Sequence, residues 1–228
     1  MVKIAIFDLD DTLYDNYGVL FPKAIRLVAK ALVEAGVAME EEALYELIVK
    51  TYPSYHVKIS KSMEKVLTEA GVDKSKHEEL IKLSGNAYGA ITAEGITIDP
   101  AVVEMLKRLR EKYTLALMTM GSTRLQNDKI DTLGIRGLFD FIDIVDNGQG
   151  TKEKAMKQFL QQNGFSHNDA VYIGDRPDND IESANKAGMK TIRLMKWKYE
   201  KCEPANEMQK ADVTVSDPLD VEKALETL

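Results

Sequence analysis

The chain has 228 residues, 44% hydrophobic and 29% charged, with a net charge of −7 at pH 7; that size holds one large core, or a core with a smaller insert. An acidic balance with no basic stripe argues against a nucleic-acid partner, and no apolar run is long enough to span a bilayer. A single cysteine, Cys202, excludes an intrachain disulfide and fits a reducing, cytoplasmic compartment, while Met1-Val2-Lys3 reads as entry into a strand and not as a signal peptide.

Val2 to Phe7 reads as a short buried strand. It runs straight into Asp8-Leu9-Asp10-Asp11-Thr12, which puts two carboxylates two residues apart at the carboxyl end of a strand. Like charges this close repel unless a divalent cation neutralises them, and hard oxygen ligands select Mg²⁺. From about Tyr17 to Ala93 the pattern is helical throughout: Phe21, Ala24, Ile25, Val28, Ala31, Leu32 and Ala35 recur at helical spacing before Gly36. Leu44 to Val49 continues it and Pro53 breaks it. Met63 to Ala70 ends at Gly71, and Ser75-x-x-Glu78 reads as a capping box for a fourth helix.

After Gly95 strands and helices alternate. Asp99-Pro100 is an N-cap with proline at the first helical position, which predicts a helix to about Lys112. Tyr113 to Thr119 follows as a strand, Thr123-x-x-Gln126 as the capping box of a helix ending near Gly134, and Phe141 to Val145 as the next strand. Thr151 to Gln162 reads as helix with Gly164 as its stop, Ala170 to Ile173 as strand, and Asn179 to Lys186 as helix before Gly188. Lys190 to Leu194 and Asp212 to Val215 are the last strands, and Asp217-Pro218 caps a terminal helix. This alternation requires right-handed crossovers and a mostly parallel sheet. The fold class is therefore α/β, a doubly wound Rossmann-like core formed by residues 1–15 and 96–228, with a helical domain over residues 16–95 inserted between the first and second strands.

In such a sheet the residues just past each strand converge, whatever their distance in sequence. Those positions hold Asp8 and Asp10, Thr119 and Gly121, Lys152 or Lys154, then Gly174, Asp175 and Asp180. Carboxylates can hold Mg²⁺, and a hydroxyl, backbone N–H groups beside a glycine and an ammonium can hold a phosphate. The residues leave open which aspartate does which work.

With these motifs in order, the chain resembles the haloacid dehalogenase superfamily of phosphohydrolases over essentially its whole length. Asp8-Leu9-Asp10-Asp11-Thr12 matches the first motif, Thr119 the second, a lysine before the fourth strand the third, and Gly174-Asp175-Arg176-Pro177-Asp178-Asn179-Asp180 the fourth. The helical insert stands where the family places its type 1 cap. The Gln126-x-x-Lys129 pair and the Ala184 to Met189 segment are similar to archaeal phosphatases of the glyceraldehyde 3-phosphate group. Two positions depart from the pattern: Met120 replaces the asparagine often found after the second-motif threonine, and Thr151-Lys152-Glu153-Lys154 lacks the usual Lys-Pro.

The resemblance implies a Mg²⁺-dependent phosphatase acting on a small phosphorylated metabolite through an aspartyl-phosphate. Asp8 would be the nucleophile and Asp10 the acid and base. The Asp8 carboxylate, the Asp10 backbone carbonyl and Asp175 would hold Mg²⁺, with Asp180 behind them. Thr119, Gly121 and Lys152 would bind the phosphoryl oxygens; Lys152 is preferred to Lys154 because the first turn of a helix points toward the strand ends. A phosphomutase and a 2-haloacid dehalogenase share this fold, although Asp10 argues against the latter. A phospho-receiver module is the alternative from another class. The chain is compatible with a monomer or homodimer. Gly18 and Gly95 are candidate hinges, Tyr55 and Lys58 in the loop from Tyr52 to Lys58 are candidate specificity residues, and Asp178 and Arg176 read as solvated surface groups.

Overall fold

A computed structural model describes residues 2–52, 59–146 and 150–228. Pro53 to Lys58, including Tyr55 and Lys58, lie outside the described residues. The chain divides into two compact units, Met1–Tyr17 with Ala93–Leu228, and Gly18–Thr92.

The first unit is built on six parallel strands, β1 (Ile4–Phe7), β2 (Thr114–Gly121), β3 (Phe141–Asp146), β4 (Ala170–Gly174), β5 (Lys190–Leu194) and β6 (Val213–Val215). Their spatial order is β3-β2-β1-β4-β5-β6, and every neighbouring pair is parallel. The sequence expectation of a doubly wound α/β core holds. The order departs from the 2-1-3-4-5 arrangement of a receiver module, so that alternative is discarded. The connections build outward from β1 to β3 and then return to β4 on its other side, which places the topological switch between β1 and β4. A crevice opens there at the carboxyl ends of the strands.

Because crossover helices cover both faces of a parallel sheet, its central strands are apolar throughout; all four residues of β1 and all five of β4 are buried. On one face Ile4, Ile6, Ala116, Met118, Ala170 and Tyr172 pack with Met156, Phe159 and Leu160 of α7 (Lys152–Asn163). α5 (Pro100–Arg110) and α6 (Thr123–Thr132) pack against β2. Two short helices, α8 (Glu182–Lys186) and α9 (Val221–Leu225), complete the unit. Asp99 caps α5 by accepting from the Ala101 N–H at 2.8 Å, as read from the sequence.

The second unit is helical: α1 (Asn16–Glu34, whose first two residues belong to the first unit), α2 (Glu41–Thr51), α3 (Ile59–Glu69) and α4 (His77–Gly89). Leu32, Leu44, Ile48, Met63, Val66 and Leu67 are fully buried.

Several local expectations are corrected. Ser75 caps nothing; its N–H and hydroxyl both donate to Asp73, at 2.8 and 2.5 Å, and a 3₁₀ turn precedes α4. The ionised aspartate two residues earlier is the stronger acceptor. Thr123 and Gln126 form no capping box, since the Thr123 hydroxyl donates to Asp146 at 2.8 Å and Gln126 turns toward the strand ends. Gly18 lies inside α1 and not in a linker, whereas Gly95 has a φ of 82°. The helix expected from Asn179 begins as a π-helical turn over Pro177–Ile181.

Candidate active site

The Asp8 N–H donates to Ile173 O at 2.8 Å, so β1 stays registered on β4 up to the switch point and delivers the Asp8 side chain there. The chain then reverses through Asp11, whose φ of 56° is uncommon for a residue with a side chain. Leu13 N–H closes the turn on Leu9 O at 3.1 Å, and the Asp11 carboxylate accepts from the Tyr17 N–H at 2.9 Å. Burial raises the Asp11 carboxyl to about 7, against that hydrogen bond.

Lys152 occupies the first position of α7, where the Thr151 hydroxyl accepts from the Lys154 N–H at 3.3 Å. Its ammonium stands 2.6 Å from Asp8 Oδ1 and 2.6 Å from Asp180 Oδ1, with the Tyr172 ring 5.2 Å away. Burial opposes the Lys152 charge, but Asp180 and Asp8 outweigh it and hold the ammonium well above its ordinary range. Burial likewise raises Asp8, to about 7, and Lys152 limits that rise. Lys154, two residues on, is exposed.

Asp175 follows β4 and is 1% exposed. Its Oδ1 has only the Thr12 hydroxyl at 3.5 Å, and its Oδ2 is buried with no hydrogen-bond partner among the described residues. Burial, then the Asp180 and Asp8 charges, push it far above the usual carboxylate range. The π-helical turn folds Asp180 back so that its Oδ2 accepts from the Arg176 N–H at 3.0 Å. Asp8, Asp175 and Asp180 each offer an oxygen within 4.8 Å of the others. A buried carboxylate oxygen without a donor is costly, and three hard oxygens around one point suit a divalent cation. The residues present therefore fit a metal ion. The grouping brings Asp180 beside Asp8 and Asp175.

Thr119, near the end of β2, is buried, and its hydroxyl meets Gln126 Nε2 at 2.5 Å. The same amide donates to Asp10 Oδ2 at 3.1 Å. Gly121 makes room for it: a Cβ there would stand 3.1 Å from the Gln126 side chain. Asp10 also accepts from the Tyr14 hydroxyl at 2.7 Å and from Lys129 Nζ at 2.8 Å on each oxygen. Asp8, Asp10, Thr119, Lys152, Asp175 and Asp180 line a cavity of about 170 Å³, which Asn16, Lys198 and Tyr199 also border.

Tyr14 and the loop after β5 are functional-site neighbours that the sequence reading missed. Gln126 and Lys129 are buried beside Ile130 on α6; in the sequence the polar pair three residues apart reads only as part of a cap and as family likeness. Asp178 is not simply solvated. It takes a two-pronged contact from Arg176, at 3.3 and 2.9 Å, while that guanidinium lies 5.1 Å from the Tyr199 ring.

A parallel sheet with an aspartate, a lysine and two further aspartates at one switch point defines an α/β domain with a charged cleft at its strand ends. The family model for haloacid dehalogenase-like hydrolases matches residues 5–194, and the chain belongs to that family. Among curated proteins it is 32% identical to a glyceraldehyde 3-phosphate phosphatase of Methanopyrus kandleri, over 99% of both chains. It is 28% identical to one of Methanocaldococcus jannaschii, over 89% of both. A 2-haloacid dehalogenase from Pseudomonas syringae shares the fold with a TM-score of 0.62 at 24% identity, over 100% of this chain and 99% of the other. No helix among the described residues is long and apolar enough to cross a membrane.

Proposed function

We propose that the chain is a Mg²⁺-dependent phosphomonoesterase acting on a small phosphorylated metabolite, with glyceraldehyde 3-phosphate the first substrate to test, and that the helical unit serves as its cap. The observation that carries the reading is the Lys152 ammonium set between Asp8 and Asp180 beside an Asp175 oxygen that has no donor among the described residues. The relatives' names point to the same chemistry. A cation held by Asp8, Asp175, the Asp10 backbone carbonyl and Asp180 at close quarters would neutralise phosphoryl charge as a Lewis acid.

The chain's own residues divide the remaining work. Asp8 attacks phosphorus; its Oδ–P bond forms as the ester P–O bond breaks, and the Asp10 carboxyl gives its proton to the leaving alkoxide. Asp10, now a carboxylate, takes a proton from water as the water oxygen bonds to phosphorus and Asp8 is released with inorganic phosphate. Lys152, Thr119 and the N–H groups near Gly121 hold the equatorial oxygens, where positioned charge supplies most of the rate. Asp10 is the group that a carbon–halogen bond would not need.

Purified protein with Mg²⁺ is assayed for phosphate release from glyceraldehyde 3-phosphate, phosphoglycolate, hexose phosphates and nucleotides. Acid-quenched samples are then searched for a phosphoryl adduct on the Asp8 peptide. Release from one class of small ester with the adduct on Asp8 is the expected result. A folded protein that releases no phosphate from any of them overturns the reading.

A further inference from the structure

Beyond the groups assigned to phosphoryl transfer, the cavity is bordered by Lys198 and Tyr199, carried on a 3₁₀ turn (Trp197–Tyr199) in the loop after β5. That turn opens on a strained residue. Trp197 has a φ of 54°, an outlier for a bulky side chain, and such a conformation persists only where its surroundings enforce it. Here the buried Arg193 guanidinium donates to Tyr199 O at 3.0 Å and to Cys202 O, and its Nε donates to Asp175 O at 3.4 Å. One buried cation thus ties the loop to the backbone at Asp175. The Lys198 ammonium lies 4.7 Å from the Tyr17 ring centroid and 5.1 Å from that of Tyr199, within the range of cation–π attraction. Arg176, another cation bordering the cavity, is gripped by Asp178.

We propose that Lys198 is a substrate-binding residue that donates to an acceptor oxygen of the leaving group, and so selects small esters with a hydroxyl, carbonyl or carboxylate oxygen on the carbon next to the ester carbon, an inference that rests on the phosphatase reading. An ammonium offers three donors and no acceptor, so it recognises oxygen and not hydrocarbon. A cavity of about 170 Å³ encloses little of a substrate beyond its phosphate, and the oxygen within reach therefore lies few bonds from phosphorus. A site built to hydrogen-bond an oxygen discriminates against an ester that lacks it. This selection comes from the unit that carries Asp8, separately from anything the helical unit adds. A lysine that only braced two rings would affect every ester alike.

The leaving group separates the two cases. In Lys198→Met, kcat/KM for an oxygenated ester that the wild type turns over, glyceraldehyde 3-phosphate being tried first and phosphoglycolate next, falls at least about tenfold more than kcat/KM for phenyl phosphate, which has no oxygen beyond the ester. A hydrogen bond to a charged group is worth roughly ten- to a hundredfold. Where phenyl phosphate is not turned over, the inhibition constant of inorganic phosphate, which probes the phosphate-holding groups alone, takes its place in the comparison. Lys198→Arg, which keeps a cationic donor, loses less than Lys198→Met. Where Lys198→Met is not folded by circular dichroism, Lys198→Ala carries the comparison. A smaller gap between the two losses, an arginine variant as poor as the methionine one, or a wild type that hydrolyses phosphate esters but none with an oxygen at that carbon overturns the proposal. A folded wild type inactive on every ester removes the phosphatase reading and this inference with it, whereas an active wild type with an unselective Lys198 variant removes only this inference.

Discussion

Lys152 Nζ and Asp180 Oδ1 lie 2.6 Å apart with both side chains almost wholly buried, and the same ammonium reaches Asp8 Oδ1 at 2.6 Å. One cation therefore compensates two carboxylates that are themselves almost wholly buried. Removing it exposes what each carboxylate costs.

Lys152→Met should abolish measurable turnover and also destabilise the metal-free protein by about 3–5 kcal/mol, the penalty for stranding buried charge. Part of that loss should return when Mg²⁺ takes over the neutralisation. The exposed Lys154 replaced by alanine should stay within about 0.5 kcal/mol of wild type. Urea unfolding in EDTA and in Mg²⁺ measures both; a Lys152→Met protein as stable as wild type in EDTA contradicts the electrostatic role.

Asp8→Asn should lower kcat more than about a hundredfold, which corresponds to roughly 2.7 kcal/mol in the barrier, with an unchanged circular dichroism spectrum. The amide copies the carboxylate's shape but neither attacks phosphorus nor binds a cation well. Retention of more than about a hundredth of the wild-type rate would take the nucleophile's role away from Asp8.

The sheet and most of this site were legible because both follow from periodicity. Buried parallel strands such as β1 and β4 read as apolar runs, and the residue after each one is brought to a common edge, so Asp8, Thr119 and Asp175 could be named before any coordinate. What escaped depends on side-chain direction. Gln126 fits the spacing of a capping box, yet the absence of a Cβ at Gly121 opens a path to Thr119 and Asp10 that it takes instead. Tyr14 looks like an ordinary aromatic after a turn, and only the reversal at Asp11 aims its hydroxyl at Asp10. The π-helical turn that folds Asp180 back toward Asp8 and Asp175 has no periodic signature in the sequence.

Stability should fall with rising pH when no metal is present. Burial raises Asp8 and Asp11 to about 7, and Asp175 well above its ordinary range. The unfolded chain's carboxyls lose their protons near pH 4, so between about pH 4 and 7 the native state holds more protons than the unfolded one, and stability declines across that window. A cation needs the carboxylates ionised. Its stabilisation should thus be larger at pH 8 than at pH 5.5, reaching about 2.7 kcal/mol at a hundred times its Kd. Thermal melts in EDTA and in Mg²⁺ at the two pH values test this, and an equal Mg²⁺ shift at both would count against the carboxylates as the binding groups.

Gly174 ends β4, and its missing side chain is what lets Asp180 fold back: a Cβ there would stand 2.6 Å from Asp180 Cβ and 2.7 Å from both its Cγ and Oδ2. Nothing at that distance is tolerated, and Asp180 is held in place by Lys152 and the Arg176 N–H, so the clash must push the carboxylate out of the group it forms with Asp8 and Asp175. Gly174→Ala should cost about 1–3 kcal/mol of stability, the usual penalty of overpacking, and lower turnover more than about tenfold. It should also shrink the Mg²⁺-induced rise in melting temperature. A general weakening of β4 would lower stability as well, but it would not interact with position 180. In an Asp180→Gly background, where all three clashing atoms are gone, Gly174→Ala should cost markedly less than it does alone, leaving a coupling of about 0.5–3 kcal/mol. Strict additivity of the two substitutions in urea unfolding would show that Gly174 supports the strand and not the placement of Asp180.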